Sequence, residues 1–199
     1  MSLSTHLLSS PVFVLTRRST SEPPRLTFQP HSNGIFDLKW SPSDTLLASG
    51  SGDKSVRVSS LASSVRTDDR TLHVLIGHES TVKCLAWDPS SDENILCAGA
   101  RDGSICLWDL RVGEGQQGKL DEGWEPGTRS PVMTIAKAHE TTTKAPKPKG
   151  RGRKLAPANP SRSITSLVYA EAHPYGVISS SAFDGYVAGI TNNLCNHPL

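Results

Sequence analysis

The chain has 199 residues, of which 36% are hydrophobic and 20% charged, enough for one domain of ordinary size with a core of its own. No apolar run approaches the ~18 residues of a membrane-spanning helix, so no membrane contact is expected. The formal net charge of +2 hides a division: Lys144, Lys147, Lys149, Arg151, Arg153 and Lys154 stand together with no acid among them, and the rest of the chain is net negative.

The four cysteines, Cys84, Cys97, Cys106 and Cys195, form no C-x-x-C pair and have no histidine at ligand spacing. Neither a metal site nor a cofactor is expected from them. Three fall on predicted strands, where a free thiol packs as a small hydrophobe.

Residues 1–28 read as a lead-in, rich in Ser and Thr and partly disordered, with an outer strand expected at Arg25 to Phe28. Its short apolar patch, Val12 to Leu15, is too brief for a secretory signal. From residue 29 a pattern of three copies begins. His31, Ile35, Leu38, Trp40 and Pro42 recur as His78, Val82, Leu85, Trp87 and Pro89 at a constant offset of 47, and Asp53 recurs as Asp102 at 49. The extra two residues belong in one hairpin.

The second copy is the most complete. Gly77-His78 opens it, Val82, Leu85 and Trp87 mark a strand, Ile95 to Ala98 a second and Ile105 to Trp108 a third, with Pro, Asn, Asp and Gly turns between. The small run Cys97-Ala98-Gly99-Ala100 suits strands crowded near an axis. Residues 112–130, with five glycines, read as a long polar connection. Leu72 to Ile76 and Pro131 to Ala136 read as outer fourth strands that each precede the next histidine position.

The third copy opens at Ala138-His139, is interrupted by residues 140–163, and resumes with Ile164, Leu167, Tyr169, Asp184, Gly185 and Val187 at an offset of 82. The interruption is rich in Lys, Pro and Thr and reads as a disordered basic insertion. Residues 192–199 read as a tail.

A Gly-His to Trp-Asp frame of this length resembles the WD repeat. The resemblance implies an all-β chain, a partial WD40 β-propeller of about three four-stranded antiparallel blades over 29–191, with blades at 29–76, 77–136 and 137–191. It also implies a structural hydrogen-bond network of His31, Asp53, His78, Asp102, Trp108 and Asp184 that pins the turns. Asp102 and His78 are expected to be buried partners, since a lone buried carboxylate is costly. The first blade has Ser59-Ser60 where the second has Trp108-Asp109, so it is expected to be the less rigid. Ala98 and Ala100 stand where a strand-borne Ser or Thr is usual in such repeats.

Catalytic motifs are not expected. Gly50-Ser51-Gly52-Asp53-Lys54-Ser55 places a carboxylate where a phosphate loop needs none, and no G-x-S-x-G or H-E-x-x-H occurs. An enzyme is therefore not expected, and presentation of surfaces is.

Trp108-Asp109-Leu110-Arg111 resembles the WDxR motif by which WD-repeat substrate receptors dock on the DDB-type adaptor of cullin-4 ubiquitin ligases. It makes Trp108, Asp109 and Arg111 the candidate adaptor-binding residues, with the planar guanidinium on the rim. HSNGIFDLKWSP, the repeat ending in WDLR, and AHETTTKAPKPKGRGRK inside a blade together resemble the denticleless family. That resemblance covers about residues 29–188 and implies a fragment of a longer propeller. It further implies a nuclear receptor for protein substrates bound to PCNA during replication and repair. The six basic residues of the insertion are expected to act in nuclear import or in weak nucleic-acid contact. A WD-repeat scaffold in chromatin or RNA assembly is the alternative.

Overall fold

Strands form in this chain wherever β-branched, aromatic and small residues run for five or six positions between Pro, Asp, Asn and Gly turns, and each run pairs with the next. The computed structural model describes residues 12–14, 26–61, 70–112, 126–139, 163–170, 173–181 and 187–191. Among them every regular element is a strand.

The first blade is a meander of β3 (Ile35–Trp40), β4 (Leu46–Ser51), β5 (Val56–Ser60) and β6 (Thr71–Leu75). The second is β7 (Val82–Trp87), β8 (Ile95–Ala100), β9 (Ile105–Asp109) and β11 (Met133–Ile135). The third has three strands, β12 (Ile164–Ala170), β13 (His173–Ser181) and β14 (Val187–Thr191). All neighbours within these meanders are antiparallel. Both outer fourth strands lie where the sequence puts them.

Two elements depart from the expectation. Val12–Val14 is not structureless: as β1 it pairs antiparallel with β2 (Leu26–Phe28) in a two-stranded sheet. Gly127–Arg129, inside the stretch read as a connection, forms β10 and pairs parallel with β6 as a fifth strand of the first blade. It covers an edge that would otherwise present unpaired main-chain groups.

Cross-strand pairing shows which positions are equivalent. Ser49 faces Leu38, Ala98 faces Leu85 and Ser179 faces Leu167, one hairpin position in three blades. The blades stack through side chains that alternate along each strand. Leu85, Trp87, Leu96 and Trp108 pack against Ala48, Val56 and Val58 of the first blade. Cys84, Ala86, Cys97 and Ile105, on the opposite face, pack against Ile164, Leu167 and Val177 of the third. The outer part of the first blade's other face, around Leu47, is covered by Val12 and Phe28.

The close approach needs glycine at two equivalent places. A Cβ on Gly50 would lie 2.7 Å from Val82 Cγ1, and one on Gly99 would lie 2.5 Å from Ile164 Cγ2. The first residue of each following blade thus seats where the preceding hairpin has no side chain. Polar links add direction: Trp87 Nε1–H donates to the Lys39 carbonyl at 3.1 Å, and Leu85 N–H donates to Asp37 Oδ2 at 2.8 Å.

Candidate functional site

The turn after β4 is held by Asp53, which accepts from Ser55 N–H at 3.0 Å and Ser55 Oγ–H at 2.6 Å. Asp102 holds the turn after β8 in the same way, from Ser104 N–H at 2.9 Å and Ser104 Oγ–H at 2.6 Å. The residue between turn carboxylate and hydroxyl has a left-handed backbone, Lys54 at φ 72° in the first blade and Gly103 at φ 84° in the second.

The histidines use these turns differently. Buried His31 donates from Nδ1 to Asp53 Oδ2 at 2.9 Å, and its Nε2 meets Ser49 Oγ at 2.9 Å and the Ser49 carbonyl at 3.2 Å. Burial alone would raise the Asp53 carboxyl, but the bonds from His31 and Ser55 outweigh it and hold the group well below the usual carboxylate range. His78 donates from Nδ1 to Ser104 Oγ at 3.0 Å, so it reaches Asp102 only through that hydroxyl. Asp102 is exposed, which corrects the expectation of a buried His78 and Asp102 pair. The Nε2 of His78 is buried and has no hydroxyl to meet, because Ala98 stands where Ser49 stands in the first blade. Burial pushes the His78 ring down to about 4, against the pull of Asp102 and the Ala98 carbonyl.

His78 packs edge-on against Trp108, with ring centroids 5.6 Å apart, and Trp108 Nε1–H donates to the Ile76 carbonyl at 3.2 Å. The first blade lacks that aromatic and leaves the hydroxyl of Ser59 buried without a partner. It is nonetheless the blade whose histidine is bonded at both nitrogens, so the sequence ranking of the two networks is reversed. In the third blade, buried His139 meets Ser179 Oγ through Nε2 at 2.9 Å. That contact spans the insertion and ties its two flanks together. Asp184 lies outside the described residues, as do Lys144, Lys147, Lys149, Arg151, Arg153 and Lys154.

Trp108-Asp109-Leu110-Arg111 ends β9 and enters an exposed turn. Trp108 is fully buried, so its part can only be positional, and the expectation that its side chain touches a partner is corrected. Asp109 grips the next arginine: Arg111 Nε–H donates to Oδ1 at 3.0 Å and Nη2–H to Oδ2 at 2.7 Å, while Arg111 N–H donates to Oδ1 at 2.9 Å. The Arg111 hydrogen bond lowers the Asp109 carboxyl more than its partial burial raises it. The Arg111 side chain is 62% exposed, its fork held in one plane by the carboxylate beneath.

Arg129, on β10, completes this edge, and the sequence reading missed it. It donates from Nη1 to the Val112 carbonyl at 3.1 Å and from Nε to His73 Nδ1 at 3.3 Å, joining the Arg111 turn to β6. Burial, and then Arg129 itself, push His73 down to about 4, so the ring stays an acceptor at neutral pH. No local pattern announces Arg129, since β10 pairs out of sequence order. The buried thiols Cys84 and Cys97 are pushed up to about 12 by burial and are inert as nucleophiles near pH 7. Among the described residues no group of His, Cys, Asp and Glu is arranged to hold a metal.

Meandering sheets stacked face to face, each pinned by a histidine to its own hairpin, match the WD domain, G-beta repeat model over residues 22–58 and 69–109. Two segments of the chain thus match WD repeats, and the chain is similar to the denticleless proteins. The denticleless protein homolog of Gallus gallus is 30% identical over 166 residues, 80% of this chain and 21% of that protein. Protein lethal(2)denticleless of Drosophila melanogaster is 30% identical over 161 residues, 80% of this chain and 19% of that protein. The denticleless protein homolog of Homo sapiens is 26% identical over 162 residues, 79% and 20% of the two chains. The chain thus spans about a fifth of the length of the curated relatives it matches. Among solved structures, a chain of the Polycomb Repressive Complex 2 of Chaetomium thermophilum bound to GSK126 superposes with a TM-score of 0.62 at 18% identity, over 85% of this chain and 31% of that one. A chain of the Mitotic Checkpoint Complex gives 0.51 at 18% identity, over 80% and 35%. At that identity the likeness is one of fold.

Proposed function

We propose that the WD-repeat chain serves in a substrate-recognition subunit of a cullin-4 type ubiquitin ligase, docking on the DDB-type adaptor through Asp109 and Arg111 and itself performing no catalysis. The observation that carries this reading is the exposed Arg111 guanidinium, fixed by Asp109 at the end of a strand whose Trp108 is buried beneath it. A planar fork already held in place loses little side-chain freedom on docking, which favours affinity. The similarity to denticleless proteins supports the same role. With it come protein substrates bound to PCNA, replication-linked degradation and a nuclear site of action. The basic segment from Lys144 to Lys154 would serve in import or in weak nucleic-acid contact.

Adaptor binding by calorimetry tests the reading. Arg111→Ala should weaken binding at least about 30-fold, the loss of a ~2 kcal/mol anchor, with the urea midpoint unchanged. Arg111→Lys should bind nearly as poorly, because an ammonium cannot reproduce the fork. Undiminished binding by Arg111→Ala would remove the ligase role and leave the scaffold in chromatin or RNA assembly.

A further inference from the structure

The Trp108-Asp109-Leu110-Arg111 turn is closed into a circuit of hydrogen bonds by residues far from it in sequence. At its start Trp108 Nε1–H donates to the Ile76 carbonyl at 3.2 Å, and Ile76 N–H donates to the Arg129 carbonyl at 3.0 Å. At its end Arg129 Nη1–H donates to the Val112 carbonyl at 3.1 Å, and Val112 N–H returns to the Asp109 carbonyl at 3.1 Å. Arg129 thus holds both ends of the turn, one through its main chain and the other through its guanidinium.

The surroundings of that guanidinium show that its part is geometric. Among the described residues no carboxylate lies within ion-pair distance of it, so it does not neutralise an acid. Its donors go instead to two neutral acceptors in different directions, the Val112 carbonyl and His73 Nδ1 at 3.3 Å. A guanidinium can only donate, so His73 carries its proton on Nε2 and offers Nδ1 as a fixed acceptor. The inner side of the turn is held by Leu110 N–H on the Asn94 carbonyl at 2.6 Å, and its outer end, at Val112, by Arg129.

We propose that Arg129, braced by His73, is a positioning residue for docking through Arg111. This rests on the adaptor-docking reading above and names a further determinant of it. Asp109 fixes the Arg111 fork relative to the turn, and Arg129 fixes the turn relative to the sheet. Without the second hold the fork keeps its plane but loses its place. Docking must then order the turn as well as the side chain, which weakens association. The edge formed by β10 is thereby part of the docking element without the Arg129 side chain touching the partner.

The test is adaptor binding by calorimetry, as a double-mutant cycle on the 199-residue chain. Arg129→Ala should weaken binding at least about 5-fold in the native background and not at all in the Arg111→Ala background, where nothing is left to position. His73→Leu removes the acceptor and should also weaken binding, whereas His73→Gln, whose amide oxygen accepts in its place, should restore it. An equal loss in both backgrounds overturns the proposal in favour of a direct contact or a general loosening. So does native affinity in Arg129→Ala where Arg111→Ala binds weakly. A second readout needs no adaptor and separates this inference from the docking reading: exchange of the Val112 amide hydrogen, followed by NMR. It should be at least about 5-fold faster in Arg129→Ala and His73→Leu and native in His73→Gln, with the β9 amides unchanged. Unchanged exchange in Arg129→Ala overturns the positioning role even if adaptor binding falls. Faster exchange beside undiminished binding by Arg111→Ala overturns the docking reading and with it the proposal, while the hold on the turn stands.

Discussion

A single missing hydroxyl at Ala98 leaves the buried Nε2 of His78 without the contact that Ser49 Oγ and Ser179 Oγ make with the Nε2 of His31 and His139. Ala98→Ser should therefore stabilise the middle blade by about 1 kcal/mol, read as a higher urea midpoint at unchanged slope. A fall would mean that the site has no room for the oxygen. The turn carboxylates make a second pair of experiments. Asp53→Ala strips a partly buried carboxylate from buried His31 and should cost ~2 to 5 kcal/mol. Asp102→Ala acts at an exposed group that reaches His78 only through Ser104, and should cost no more than ~1 kcal/mol. The sequence ranks the two the other way, because an Asp at one position of a repeated frame looks alike in every copy. A difference of one bond in which atom the histidine reaches is invisible there.

For whole elements, the seat between blades is the sensitive feature. Gly99→Ala places a methyl 2.5 Å from Ile164 Cγ2 and 2.9 Å from Cys84 Sγ, so it should push the third blade off the second at a cost of about 1–3 kcal/mol. Ile164→Ala in the same chain should relieve only part of that cost, since the Cβ at position 164 and Cys84 Sγ still lie 2.8 Å and 2.9 Å from the added methyl, a coupling that a double-mutant cycle of urea midpoints reads directly. The strands and turns of the three meanders were legible from alternation and turn residues. β2 falls where the sequence predicts a strand at Arg25 to Phe28, but β1, its pairing with β2, and β10 were not legible. Three residues such as Gly127, Thr128 and Arg129 carry no period of their own, and they become a strand because β6 offers an unpaired edge.

At the scale of the molecule, acid should loosen the fold through its histidines before its carboxylates. His78 and His73 both sit at about 4 in the folded chain against an ordinary value near 6.5, so each is neutral in the fold and binds a proton more readily when unfolded. Their stabilisation is complete above about pH 6.5 and is lost as pH falls toward 4, at up to ~1.4 kcal/mol per unit for a buried ring. The more exposed His73 contributes less. Asp53, held low, adds a further loss only below the ordinary carboxylate range near 4. The urea midpoint should thus fall between pH 7 and pH 5, and His78→Gln should flatten that slope. A slope unchanged by His78→Gln would show that this ring is not the titrating group.

The amino-acid sequence by itself determined the repeat, the strands of the three meanders, their hairpin turns and the position of the WDLR turn, because hydrophobic alternation and turn chemistry act within a few residues. The tertiary structure decided which of those residues meet. It joined His139 to Ser179 across the insertion, left the Nε2 of His78 without a hydroxyl partner, buried Trp108 and brought Arg129 beside the Arg111 turn. Identical residue types at equivalent positions thus have different roles, because hydrogen bonds and close packing depend on displacements of about an ångström that are set by the neighbouring blade rather than by the local chain.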